Sequence, residues 1–496
     1  MRRAGLILIL AAAAAARMWF LTAGVPHAVG IDEPQIVDRA IRILRTGDWN
    51  THIFDYPTLV IYFHSAVAIV RFLFGALEGE WRSLDGFTVQ AIYTAGRFAA
   101  ACLGVATVWL TYKLGSGLAS RNIGLLAAAQ VAVRPMHVRE SHFILTDVPM
   151  TMLTTFALWL SVRAMRLGTV SAYAWAGALC GFAAAAKYTG GVAIVAVLAA
   201  WAVRERAAPG RLLKLAAILG AAALAFLVAA PYTILDMPAF LDGFAAQFAR
   251  FATPAPAGDP PWLLYLKHLS PVGARVSVPL AIAGMILILA RGRTRAAAIP
   301  VVTFTLAYFY VIASHSHVFG RYALPLVPVL AIYIAVVLAE VVSALARVPA
   351  LKRPGLQPML AAALVGVILI PMAGETVRWL DQLKRADTRT LATDWLKANA
   401  PKGARVAVEN SGPTYLDAAG FRVLGNELII EHPPEWYRSR ADFLVISGAD
   451  EARYSDYIGM GPTVFQVTPA QRWGPPIRIV KLGNGEISTF PDFQIR

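Results

Sequence analysis

Apolar runs of 17 residues or more recur from Leu6 to Ile370 in this 496-residue chain. A soluble fold of two to four domains has no interior for so many of them, whereas about 20 apolar residues match the hydrocarbon thickness of a bilayer. The sequence therefore specifies a polytopic helical membrane protein. Charged residues make up 15% of the chain, against about 25% in soluble domains. Disorder and a nucleic-acid-binding tail are excluded on the same ground.

Eleven segments read as spanning helices: 4–24, 89–112, 122–138, 148–165, 171–186, 188–203, 211–231, 274–290, 297–313, 322–344 and 356–373. The first, after Arg2 and Arg3, reads as an uncleaved helix rather than a signal peptide, because many apolar runs follow and no clear A-x-A site stands after Gly24. A twelfth apolar stretch, 57–76, contains His64 and Arg71. An in-plane interfacial helix keeps such groups wet, so this stretch is expected to lie on the membrane.

The net charge of +15 belongs to the membrane part. Residues 1–374 carry 30 basic and 15 acidic groups, and residues 375–496 carry 15 of each. With 57–76 lying flat, the loops on one side hold 16 bases against a single acid, Glu205; the opposite segment 25–88 holds five bases and eight acids. The positive-inside rule then places the N-terminus in the cytoplasm and loops 25–88 and 232–273 outside. All nine histidines fall outside or at outer helix ends, as a polar ring avoiding hydrocarbon would, or because the chemistry is on that face. Cys102 and Cys180 sit in apolar runs without C-x-x-C spacing, so neither a disulfide framework nor a thiolate zinc site is indicated.

Two domains are expected: a transmembrane domain over 1–374, and an extracytoplasmic α/β domain over 375–496. The second has ordinary charge density, short β-type runs (Arg405–Val408, Phe443–Ser447, Ile477–Leu482) and a helical start, Arg389–Ala398.

Few polar residues remain for chemistry. Asp32 and Glu33 follow the first helix, and adjacent carboxylates with few counter-charges either hold on to a proton or attract a cation; Asp32 before Pro34 equally suits a helix cap. His52 and Asp55 precede Pro57. His142 and Asp147 lie between the third and fourth spans, where Asp147 also suits the start of a helix. Lys187 interrupts two apolar runs, a costly place for a cation unless it is paired or snorkels. Arg321 and Tyr322 follow Ser314-His-Ser-His317. A Lys and an Arg at one membrane boundary suit a lipid phosphate, or serve as interfacial anchors.

The order of these elements resembles the GT-C membrane glycosyltransferases, nearest the bacterial dolichyl-phosphate-mannose protein mannosyltransferase-like and aminoarabinose (lipid A) transferase-like proteins. The motifs are the Asp32-Glu33 pair, Phe54-Asp55-Tyr-Pro57, Asp147, and Arg321-Tyr-Ala-Leu-Pro. The resemblance implies a GT-C fold and transfer of a monosaccharide from a polyprenyl-phosphate donor to a lipid, glycan or protein hydroxyl, on the outer face of a bacterial inner membrane. It implies catalytic roles for Asp32, Glu33 and Asp147, and donor-phosphate contacts from Arg321, Lys187 and Tyr322. Tyr56 stands where such transferases often have Lys before the Pro, which leaves one phosphate cation to be supplied by Lys187 or Arg275. Asp55, Asp147, His52 and His142 are the expected ligands should an Mg, Mn or Zn ion take part.

A polyprenyl phosphate needs no general acid to leave, whereas the acceptor hydroxyl needs a base such as Asp32, and a single displacement inverts the anomeric centre. A transporter or lipid flippase is the main alternative. It would show repeated halves and polar groups near the midplane, in place of acids gathered at one boundary beside an appended soluble domain.

Overall fold

Thr88, Ser120 and Thr169 each start a helix by accepting a backbone N–H three residues on with their side-chain oxygens. Gly168 ends another in the left-handed conformation, at φ 68°, which costs a glycine little. Punctuation of this kind divides the apolar sequence into a helical bundle. The computed structural model describes residues 2–30, 32–206, 208–252, 258–270, 275–349, 355–426, 428–448, 450–470 and 472–482. Lys352, Arg353, parts of the 232–273 loop and the last residues of the expected C-terminal domain lie outside them.

Among the described residues seven helices are long and apolar enough to cross a membrane: Leu59–Leu77, Val89–Leu118, Asp147–Leu167, Arg211–Ala229, Gly292–Ala313, Leu326–Leu345 and Leu356–Gln382. Ala4–Met18, Val170–Ala186, Tyr188–Arg204 and Ser277–Ala290 are shorter apolar helices. The protein is a multi-pass membrane protein.

Two segments differ from expectation for identifiable reasons. The stretch expected as one span over 122–138 breaks into Arg121–Ala132 and Pro135–Glu140. Pro135 pushes Arg134 to ψ 116°, out of the helical region, as proline does to its predecessor. The 12 residues of Arg121–Ala132 reach about 18 Å, short of a full crossing. In Leu59–Leu77, His64 is buried and set edge-on to Phe63, so it is not kept wet as an in-plane helix was expected to keep it. Arg71 does reach a polar partner, Glu80 at 2.6 Å, and lies over the Trp81 ring.

Small residues let the helices approach closely. A Cβ added at Gly177 or Gly181 would run into the carbonyls of Ile218 and Ala222 on Arg211–Ala229, and one at Gly284 into the Tyr333 carbonyl. Gly115 meets Gly124 in the same way. Lipid is as apolar as leucine, so such close packing takes the place of a hydrophobic driving force between helices.

The chain divides into two compact units, Met1–Leu21 with Gln35–Leu380, and Thr22–Pro34 with Asp381–Arg496. The second unit is built on a five-stranded mixed sheet of order β2-β1-β3-β5-β4, with β1 Arg405–Glu409, β2 Arg422–Asn426, β3 Phe443–Ile446, β4 Thr463–Val467 and β5 Ile477–Lys481. β1 runs parallel to β2 and β3; β5 is antiparallel to β3 and β4. Ala392 and Leu396 of helix Thr388–Asn399 pack with Val406, Phe443, Val445 and Ile479 in one core cluster. Ala407, Leu444 and Val480 face the other way, onto Tyr437 and Tyr457. This is the small α/β domain expected from the sequence. The edge strands β2 and β4 escaped it because they are half exposed and carry no apolar run.

Candidate active site

Asp147 is the first residue of helix Asp147–Leu167 and is 2% exposed. A carboxylate so buried needs partners, and two cations supply them. Lys187 Nζ lies 2.7 Å from Oδ1, and Arg321 Nε lies 3.7 Å from Oδ2. The fold brings Lys187 there by ending helix Val170–Ala186 one residue earlier and extending the backbone at φ −159°, ψ 132°. A 3-10 turn, Gly320–Ala323, presents Arg321 and Tyr322.

Aromatic rings complete the cation pair. Lys187 Nζ lies 4.1 Å from the Tyr322 ring centroid, and the Arg321 guanidinium lies over Phe319 at 4.6 Å and Tyr322 at 5.7 Å. Ring faces attract cations and hold these two in place without neutralising them. The Tyr308 hydroxyl donates to the Tyr322 carbonyl over 3.0 Å and fixes the turn from below.

Lys187 and Tyr322 line a mostly apolar cavity with about 1480 Å³ of empty space, including the part open to solvent. Asp55 and Tyr56 form another part of its wall, with Tyr188, Phe244, Gln247 and His315. The Phe54-Asp55-Tyr56 segment is held by the Tyr188 hydroxyl, which donates to the Phe54 carbonyl over 2.9 Å, and by the Phe54 ring edge-on to Phe240. Burial first, then the Lys187 ammonium, lowers the pKa of His315 below the ordinary histidine value, so at neutral pH this wall carries a neutral imidazole. An apolar chamber with the Lys187 ammonium on its wall, and Arg321 joined to Lys187 through Asp147, suits a ligand with a lipid tail and an anionic head.

The structure thus gathers Asp55, Lys187 and Tyr322 on one cavity and joins Asp147 and Arg321 to it. His52 and His142 are placed elsewhere. His52 Nε2 is 2.8 Å from Asp48 Oδ2, and that contact, with the Asn50 N–H and Arg42, holds the Asp48 carboxyl down at about 2. The His142 ring sits between the carbonyls of Val138 and Trp19 at 2.8 and 3.0 Å. The four expected metal ligands are therefore not gathered into one set. Among the described residues no group of three or more His, Cys, Asp or Glu is placed to hold a metal ion, and Asp147 already has two cations. These four described residues do not form a metal site together, and no chemical step is routed through a metal.

Asp32 and Glu33 belong to the second unit. Glu33 is fully buried, and its Oε2 accepts the Gly30 N–H over 2.6 Å while its own N–H donates to the Gly30 carbonyl. This reciprocal turn opens helix Glu33–Thr46. Asp32 is half-buried. Tyr188, Gln247, Phe244 and His315 were not read from the sequence as site residues. Tyr188, beside Lys187, and His315, in the Ser314-His-Ser-His317 run before Arg321, carried a usable signal.

Residues 89–235 match the family described as dolichyl-phosphate-mannose-protein mannosyltransferase. That match spans less than a third of the chain, and the solved structures that the chain resembles show the fold it shares with them. Among solved structures, apo ArnT from Cupriavidus metallidurans is 15% identical, with a TM-score of 0.58 over 97% of this chain and 98% of that one. ArnT from the same organism bound to undecaprenyl phosphate is 16% identical, with a TM-score of 0.55 over 95% and 97%. The archaeal oligosaccharyltransferase AglB from Archaeoglobus fulgidus, in complex with an inhibitory peptide and a dolichol-phosphate, is 13% identical, with a TM-score of 0.57 over 90% and 69%. Comparison with the curated proteins gives no match.

Proposed function

We propose that the protein transfers a monosaccharide from a polyprenyl-phosphate donor to a hydroxyl of a lipid, glycan or protein acceptor on the outer face of a bacterial inner membrane. The observation that carries this reading is the apolar cavity ending on Lys187 and Tyr322, with Arg321 joined to Lys187 through Asp147. The ArnT structure with undecaprenyl phosphate and the AglB structure with dolichol-phosphate support a donor of that class.

In this mechanism Lys187 and Arg321 take up the charge that develops on the departing phosphate, acting where the leaving group needs it in a site lined with apolar groups. Lys187 fills the role that Tyr56 leaves vacant. Asp147 positions both cations. Asp32 removes the proton of the acceptor hydroxyl as its oxygen attacks the anomeric carbon. The C–O bond to the phosphate breaks in the same displacement, with inversion. Asp55, on the cavity wall, accepts hydrogen bonds from the sugar hydroxyls.

The test is Asp32→Asn in a transfer assay with polyprenyl-phosphate-linked sugars. The variant is expected to insert into the membrane normally and to lose transfer; wild-type transfer would remove Asp32 from the mechanism. Mass spectrometry of envelope lipids and glycoproteins from cells with and without the protein identifies the sugar and the acceptor.

A further inference from the structure

We infer that Arg389 of the α/β domain is a positioning residue for catalysis: it fixes the backbone that carries Asp32. The inference rests on the proposed role of Asp32 as base and asks what holds that residue still.

The Arg389 guanidinium is buried and forked onto Asp387, with Nε to Oδ1 at 2.9 Å and Nη2 to Oδ2 at 2.8 Å. This pair leaves Nη1 to donate to the Val29 carbonyl over 2.9 Å, three residues before Asp32. Asp387 is itself fixed, because it caps helix Thr388–Asn399 by accepting the Arg389 N–H. The donor is thus locked at both ends before it meets Val29.

Other bonds continue along the same segment. The Thr414 N–H donates to the His27 carbonyl over 3.3 Å, and Lys397 Nζ donates to His27 Nε2 over 3.0 Å. Ala28 and Val29 are buried, and the Gly30–Glu33 turn closes the segment immediately beside Asp32. A buried, fully paired guanidinium is costly to desolvate and gives little net stability. Its geometric specificity is the property that a segment outside regular helix and strand requires in order to hold a carboxylate base in place.

The test uses the full-length protein in proteoliposomes, with a polyprenyl-phosphate-linked sugar that wild type turns over. Arg389→Lys keeps the charge and loses the fork. Arg389→Met with Asp387→Asn removes both charges and keeps a cap, so it avoids an unpaired buried carboxylate. The double variant is expected to lower kcat about 10- to 100-fold, the scale for a misplaced catalytic group, with donor KM unchanged. Arg389→Lys is expected to fall between it and wild type. Amide exchange in the peptide 24–33 is expected to rise while β1, β3 and β5 stay protected.

Wild-type kcat together with a loosened 24–33 segment would overturn the inference, as would unchanged exchange in that segment. A loss of protection across the sheet would overturn it in favour of a purely structural role. Full turnover by Asp32→Asn would instead overturn the base assignment, and the positioning role with it; Asp32→Asn inactive beside a fully active Arg389→Met, Asp387→Asn variant sinks the inference alone.

Discussion

Lys187 Nζ lies 2.7 Å from Asp147 Oδ1, and the two residues come from the ends of different apolar helices. Neither charge belongs in such a place by itself. Together with Arg321 they form a cluster of two cations around one buried carboxylate.

Lys187→Met is therefore expected to act twice. It leaves Asp147 with Arg321 alone at 3.7 Å, which should destabilise the protein by about 3 kcal/mol, at the lower end for breaking a buried pair. It should also raise donor KM, because the cation on the cavity is gone. Thermal unfolding and steady-state kinetics read the two effects separately. A cycle with Asp147→Asn should show a coupling of about 1 kcal/mol or more.

Arg321→Lys is not a conservative change here. The guanidinium lies over Phe319 and Tyr322, and an ammonium neither stacks that way nor forks onto a phosphate. Donor KM is expected to rise about tenfold, with the unfolding temperature nearly unchanged. An unaltered KM would remove Arg321 from the donor site.

How much of this was legible in the sequence follows from cost. Asp147, Lys187 and Arg321 stood out because charge beside hydrocarbon is rare. Gln247 and Phe244 line the same cavity and stayed hidden, since aromatic and amide groups near a membrane boundary are ordinary. The apolar runs declared the bundle, but Pro135 broke one expected span, and His64 lies buried where a wet helix was expected. Glu33 read as a partner of Asp32, and its carboxylate also accepts the Gly30 N–H. Sequence spacing carries no signal for that turn.

The His27 contact predicts a pH dependence. Burial, and then the Lys397 ammonium, lower the pKa of His27, while Asp394 opposes them. The folded state therefore binds fewer protons here than the unfolded one, and its contribution is present above the ordinary histidine value of about 6.5. It is lost as pH falls from there through the lowered folded value. Amide exchange in 24–33 should quicken over that interval in wild type, and His27→Gln should flatten the response.

Gly181→Val tests the close approach of the helices Val170–Ala186 and Arg211–Ala229. The new side chain meets the Ala222 carbonyl, and overpacking of this kind costs about 1–3 kcal/mol. Detergent-resistant unfolding measurements should show that loss, whereas Gly220→Ala, where a Cβ meets nothing, should be neutral or slightly stabilising.

A reporter active only outside the cytoplasm, fused after Arg496, is expected to be active, following the excess of bases in the loops assigned to the cytoplasm. An inactive reporter alongside an active cytoplasmic one would reverse the orientation and mean that Leu59–Leu77 crosses the membrane.

The most direct measurement of the central claim is release of polyprenyl phosphate from polyprenyl-phosphate-linked sugars in proteoliposomes, comparing wild type with the Lys187→Met, Arg321→Met double variant. The account predicts turnover by wild type and loss of at least about 100-fold in the variant, the scale of removing a group that stabilises departing charge. Equal turnover by the two proteins would contradict it.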